Sequence, residues 1–250
     1  MTVRRKTIGA ISLLMLVATA CGTDDTSSPE SEPVIDPGDG GAYTPAIDPA
    51  RFSTLIDNPY LPYIPGAAWV YEGATEDGEI ERIEVTVTDD RKIVYGVETI
   101  VVHDVVSIEG EVIEDTYDWY AQDREGNVWY FGEDSTSYDE GTPSTAGSWE
   151  AGVRGALPGI VMPASPSSGR VYREEFASGE AEDMAKVVDL DGSIDTPFGS
   201  FDGLVVTINW TPLEPQFVER KYYAESIGLV YETFDLGPEE VVELISYTGP

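Results

Sequence analysis

The sequence predicts an all-β, mainly antiparallel fold, arranged as a strongly curved sheet, a half-barrel or a barrel. Three observations point there. Apolar and polar residues alternate, as in Ile83, Val85 and Val87 against Glu84, Thr86 and Thr88, which gives a strand one buried and one wet face. Short runs of strand-forming residues are separated by turn chemistry, such as Glu109-Gly110 and Asp123-Arg124-Glu125-Gly126-Asn127. No stretch holds a helical period over three turns; Glu180–Val188 comes nearest and reads better as a strand. Strands without alternating helices leave a sandwich, a barrel or a curved sheet. Trp69, Trp119, Trp129 and Trp210, with the Tyr-rich strands, supply volume to fill or line a curved interior.

Taken in order, the chain opens on Arg4, Arg5 and Lys6, then an apolar run from Ile8 to Val17, then Ala18-Thr19-Ala20-Cys21. A basic start, a short apolar stretch and small residues before a cut have the form of a secretory signal over residues 1–20. The apolar run is shorter than the about 20 residues a membrane-crossing helix needs. Small residues running into a cysteine resemble the lipobox of bacterial lipoproteins, although Ala18 stands where that family usually holds Leu or Val. The resemblance implies that Cys21 carries lipid and becomes the mature N-terminus. It also implies an extracytoplasmic protein of a bacterium, anchored through Cys21 to the cell membrane or the outer membrane. Cys21 is the only cysteine, so no disulfide forms within the chain.

Residues 21–50 read as a disordered acidic tether. They hold Pro29, Pro33, Pro37, Pro45 and Pro49 and the Gly38-Asp39-Gly40-Gly41 stretch, and such a composition buries too little apolar surface to offset its ordering entropy. Residues 51–250 read as one β-rich domain. The proline-rich Asn58–Gly66 leads into a strand at Ala67–Tyr71. The alternating stretch around Ile83 follows, then Val97–Ile108, apolar on both phases and so expected to be central. Past the Glu109-Gly110 turn come Val112–Ala121 and, after the Asp123–Asn127 loop, Val128–Phe131. Further strands are expected at Arg170–Phe176, Met184–Leu190, Leu204–Trp210, Phe217–Tyr223, Leu229–Phe234 and Val241–Tyr247. Ser135–Ser168, rich in Gly, Pro and Ser, is expected to cross an open end or face of the sheet as a long ordered loop.

Ala67-Ala68-Trp69-Val70-Tyr71-Glu72-Gly73, Thr196-Pro197-Phe198-Gly199-Ser200-Phe201-Asp202-Gly203 and Lys221-Tyr222-Tyr223-Ala224-Glu225-Ser226-Ile227-Gly228 together resemble a broad group of uncharacterised bacterial β-rich lipoproteins. Their architecture is similar to the lipoprotein-carrier (LolA-like) half-barrel. The resemblance covers roughly residues 59–248 and implies a fold. It hands over no catalytic residues.

Charge narrows the partners. The chain has 47 acidic and 14 basic residues; three of the basic ones lie in the leader, which leaves eleven. Such a surface repels phosphate backbones, which argues against nucleic acid. It also repels anionic headgroups, so membrane contact falls to the lipid anchor.

Chemistry is read largely by elimination. His103 is the only histidine, and no Gly-x-Ser-x-Gly elbow or Ser-x-x-Lys accompanies it, so a strand position with a structural role is expected. One histidine and one committed cysteine do not build a zinc or copper site. Asp189-Leu190-Asp191-Gly192-Ser193-Ile194-Asp195 resembles the opening of a calcium loop. Asp189, Asp191 and Asp195 are therefore candidate ligands for Ca2+, although Ile194 and Ser200 fall where that loop wants Gly and Glu. The plainer reading makes Asp191-Gly192 a hairpin turn. Trp149, in the long loop, is the candidate ligand-binding aromatic, with burial as a structural residue its alternative. The function expected is a non-enzymatic, envelope-anchored domain that binds a small amphiphile or an envelope protein. A carboxylate-dependent glycan hydrolase and a structural or adhesive surface domain are the alternatives.

Overall fold

A computed structural model describes residues 43–250 apart from Glu76 and Glu140. Cys21, the leader and residues 21–42 lie outside the described residues. The elements are a 3-10 turn at Pro49–Arg51 and the strands β1 (Phe52–Ser53), β2 (Ala68–Ala74), β3 (Ile80–Val94), β4 (Val97–Ile108), β5 (Glu111–Asp123), β6 (Val128–Asp139), β7 (Thr142–Ser144), β8 (Trp149–Glu150), β9 (Leu157–Met162), β10 (Val171–Arg173), β11 (Glu175–Phe176), β12 (Met184–Asp195), β13 (Ser200–Trp210), β14 (Val218–Ala224), β15 (Gly228–Leu236) and β16 (Val241–Thr248). No α-helix occurs among the described residues. The all-β expectation holds.

The strands form one antiparallel sheet in the order β10-β12-β13-β14-β15-β16-β2-β3-β4-β5-β6-β9-β11. The two ends of that order are pieces of one segment. Val171, Tyr172 and Arg173 pair with Lys186, Ala185 and Met184 of β12, whereas Glu175 and Phe176 pair with Pro158 and Leu157 of β9. The chain changes partner at Glu174, whose N–H donates to the Asp183 carbonyl at 2.8 Å. Residues 171–176 thereby draw the two edges together and nearly close the barrel, which removes exposed edge strands. Gly159 makes the approach feasible: a Cβ there would lie 2.4 Å from the Glu174 carbonyl carbon and 2.5 Å from the Arg173 oxygen.

Local chemistry explains the connections. Tyr95-Gly96 and Glu109-Gly110 all have positive φ between the end pairs Val94–Val97 and Ile108–Glu111. That is the two-residue type I′ hairpin, whose twist suits the flanking strands. Asn58 shows how the proline-rich entry is held: its side chain donates to the Gly126 carbonyl at 2.9 Å, and its Oδ1 accepts from Tyr60 N–H at 2.9 Å.

Three expectations need correcting. Asp191-Gly192 is not a turn: β12 runs through it with register shifts. Gly192 is there because a Cβ would meet Val206 Cγ2 at 2.5 Å. The turn comes at Thr196–Gly199, where each residue's N–H donates to the other's carbonyl. Ser135–Ser168 is not one long loop. Strand β6 continues to Asp139, and Leu157–Met162 is a buried strand pairing Trp129 with Ile160 and Tyr130 with Gly159. Pro158 sits beside the start of that strand, a position proline tolerates. Finally, the packed chain reaches back to Tyr43, buried, with its hydroxyl donating to the Pro158 carbonyl at 2.8 Å. Composition alone extends the tether to Ala50, because one docked tyrosine leaves no mark on composition.

Candidate functional site

Register decides which side chains look inward, since cross-strand partners share a face. Trp69 lies opposite Val85, Val85 opposite Asp104, Asp104 opposite Thr116, and Thr116 opposite Ser135. On the far wall, Val242 faces Glu232, Glu232 faces Lys221, and Lys221 faces Thr207. The interior is therefore half aromatic and aliphatic, half polar. Its polar groups are mostly tied. Tyr130 donates to Asp118 Oδ1 at 2.7 Å, Thr116 to Ser135 Oγ at 2.8 Å, and Asn209 to Glu174 Oε2 at 2.7 Å.

Between these walls lies a cavity of about 110 Å3. Its aromatic lining is Tyr63, Trp69, Tyr71, Tyr120 and Tyr223, and its carboxyl groups are Asp104, Asp118, Glu174 and Glu232, with Lys221 the one cation among the lining residues. The polar tips of two rings are committed elsewhere: Trp69 Nε1 donates to the Ile227 carbonyl at 2.7 Å and the Tyr71 hydroxyl to that of Leu229 at 3.0 Å. Those rings offer the cavity carbon. Tyr63 meets Trp69 and Tyr120 edge-on, with centroids 5.6 and 5.1 Å apart, and so braces the wall from the proline-rich entry segment.

Burial governs the acids. Asp104 is 4% exposed and its Oδ1 has no hydrogen-bond partner. Burial pushes its carboxyl well above the ordinary range, with Asp118, Glu114, Glu232 and Glu81 adding to the rise. Asp118 is pushed up to about 7 by burial, against the Tyr130 hydrogen bond. Glu174 rises to about 8 and Glu232 to about 7, each from burial and against the pull of Lys221. Lys221 reaches Glu219 at 3.0 Å and Glu232 at 3.8 Å. Burial pulls its ammonium down, but the surrounding acids outweigh that and hold it well above its usual value.

The residues singled out from sequence lie elsewhere. Trp149 is buried, meets Tyr130 edge-on at 5.4 Å, and lines a separate open cleft of about 470 Å3 that also takes in Trp119, Lys92 and Glu150. In that cleft Lys92 Nζ stands 3.1 Å from the Trp119 ring centroid and 2.8 Å from Glu150 Oε2. Asp189, Asp191 and Asp195 are exposed along β12, and Asp189 Oδ1 accepts from the N–H groups of Leu190 and Asp191. No group of three or more metal-ligating side chains gathers among the described residues. His103 stacks on Tyr117 at 4.4 Å, and its Nε2 lies 2.8 Å from Asp115 Oδ1, on the opposite face from its neighbour Asp104.

Sequence reasoning missed Asp104, Asp118, Glu232 and Lys221. The signal was present in β4: Asp104 shares a phase with Val102 and Val106, so an acid stands on an apolar face.

No protein family and no curated protein matches the chain. Two solved structures are similar to it. One is an exported protein with a YmcC-like fold from Bacteroides fragilis, with a TM-score of 0.45 and 14% identity over 76% of this chain and 99% of that one. The other is a lipoprotein from Parabacteroides distasonis, with a TM-score of 0.42 and 13% identity over 76% of this chain and 98% of that one.

Proposed function

We propose that this chain is a non-enzymatic, envelope-anchored binding protein, held to a membrane by lipid on Cys21, whose barrel interior receives the head of a small ligand. The observation that carries the reading is the aromatic-lined cavity of about 110 Å3 with Asp104 in its lining, a buried residue whose Oδ1 has no partner. A buried polar atom left without a partner costs about 1–3 kcal/mol, and a ligand that supplies the partner recovers it. Aromatic rings for contact and placed ionisable groups for orientation are the parts a small-molecule site uses. The leader and Cys21 support the anchoring, and the acidic composition supports attachment by lipid rather than by a basic surface.

Size argues against glycan hydrolysis in the cavity. An apolar cavity of ~150 Å3 takes benzene, so this one has no room for the two sugar rings that flank a glycosidic bond. The test is native mass spectrometry of the full chain purified from its own host in mild detergent. An acyl mass on Cys21, together with a noncovalent mass released by organic solvent, is the expected result. A bare polypeptide, unacylated and ligand-free, would overturn the proposal.

A further inference from the structure

We infer that the barrel cavity is a site for an organic ammonium head group, a cation about as large as trimethylammonium. The inference rests on the binding reading above and adds the ligand's charge and size.

Charge comes first. Four carboxyl groups and one ammonium line the cavity, and the ammonium is already engaged by Glu219 and Glu232. Asp118 and Glu174 have their own donors in Tyr130 and Asn209. Asp104 is the one of the four lining carboxyl groups with a buried oxygen, Oδ1, that has no partner. An anion entering here would find one engaged ammonium among four carboxyl groups, whereas a cation would find carboxyl groups able to ionise against it.

The rest of the wall suits a cation that has little hydration to lose. Tyr63, Trp69, Tyr71, Tyr120 and Tyr223 line the space, and aromatic rings attract ammonium groups through their quadrupole, most strongly when water is excluded. With the Trp69 and Tyr71 tips bonded to backbone carbonyls, the lining is carbon-rich, which fits methyl groups better than a hydrated metal ion. The absence of any gathered set of metal-ligating side chains among the described residues agrees with that choice. At about 110 Å3 the cavity has room for one compact head group and not for a longer chain. Proton balance is simple. Asp104 faces Glu81 on β3, Asp118 and Glu114 on β5, and Glu232 on β15, with Lys221 on β14 also lining the cavity. It holds a proton while the cavity lacks a cation and releases it to solvent when one enters.

The probe is choline, compared by isothermal titration with 3,3-dimethyl-1-butanol, which has the same shape without the charge, on the full chain in mild detergent. Choline should bind at least tenfold more tightly than the alcohol and release close to one proton, read as a dependence of the measured heat on the buffer. Asp104→Asn should lose choline affinity at least tenfold, keep whatever affinity it has for the alcohol, and melt no lower than the parent. If the alcohol binds as tightly as choline, the ammonium assignment falls and the small-ligand reading stands. If neither binds, the ammonium assignment falls, and the native mass spectrum alone decides whether the small-ligand reading stands. Competition between free choline and phosphatidylcholine vesicles then separates a lipid head group from a free metabolite; either source leaves the ammonium assignment in place.

Discussion

Lys221→Met gives a sharp test of how the interior is held together. Lys221 is 13% exposed at its side chain, Glu232 10% and Glu219 33%. Removing one partner of a fully buried ion pair costs about 3–5 kcal/mol, because the other charge is left without compensation. Here Glu219 is partly solvated and the Glu232 contact is long, so the loss at pH 8 comes to about 2–4 kcal/mol. At pH 5 the loss shrinks. Glu232, with a pKa of about 7 while Lys221 is present, rises further without it and is neutral at pH 5. The penalty is then largely the lost packing and the Glu219 contact, about 1–2 kcal/mol. The assay is urea unfolding at both pH values. Since 1 kcal/mol moves the melting temperature of a domain this size by about 2–4 °C, a thermal melt should show a drop of roughly 5–15 °C at pH 8. A loss below about 1 kcal/mol at pH 8, or equal losses at both pH values, would show that Lys221 does not hold the buried acids in place.

Other consequences follow from the same interior. Because Asp118, Asp183 and Glu232 titrate at about 7 and Glu174 at about 8 in the folded chain, against about 4 when unfolded, the folded state binds more protons between those limits. Their contribution to stability is full below about pH 4 and is lost as pH rises through 7–8, so melting should be at least about 5 °C higher at pH 5 than at pH 8.5. Gly159→Ala should destabilise by more than about 2 kcal/mol, since the added Cβ meets backbone atoms of Arg173 and Glu174; an unchanged urea midpoint would show that residues 171–176 do not close the barrel. Trp149→Ala should cost about 3–5 kcal/mol, as expected for a buried aromatic, and leave choline affinity unchanged, because Trp149 lines the open cleft and not the cavity. Cys21→Ser should move the chain from the detergent phase to the aqueous phase in a detergent-partition experiment; retention in the detergent phase would sink the lipid-anchor proposal.

Much of the fold was legible because strands announce themselves by period or, when central, by an apolar run between turns. Val97–Ile108 matches β4 residue for residue, and Glu109-Gly110 is a turn because glycine follows a residue that must also adopt positive φ. Where the reading failed, local and tertiary demands pulled apart. Asp191-Gly192 carries hairpin chemistry, yet the close approach of Val206 is what requires that glycine. Leu157–Met162 hides a buried strand behind a Pro-Gly pair, because its pairing with β6 and β11 is long-range and leaves no period in a segment so short. The cavity was harder still. Which acids face inward depends on register across many strands, and with 47 acidic residues in the chain no count of carboxylates distinguishes Asp104 from those on the surface.

The most direct test of the central claim is a crystal structure of the chain purified from its own host, with electron density inspected between Asp104 and Trp69. A compact group is expected in that space within hydrogen-bonding or ion-pair distance of the Asp104 carboxyl, and choline should replace it on soaking. A cavity closed by the side chain of Tyr63, with Asp104 bonded to a protein donor and no room for a ligand, would contradict that claim.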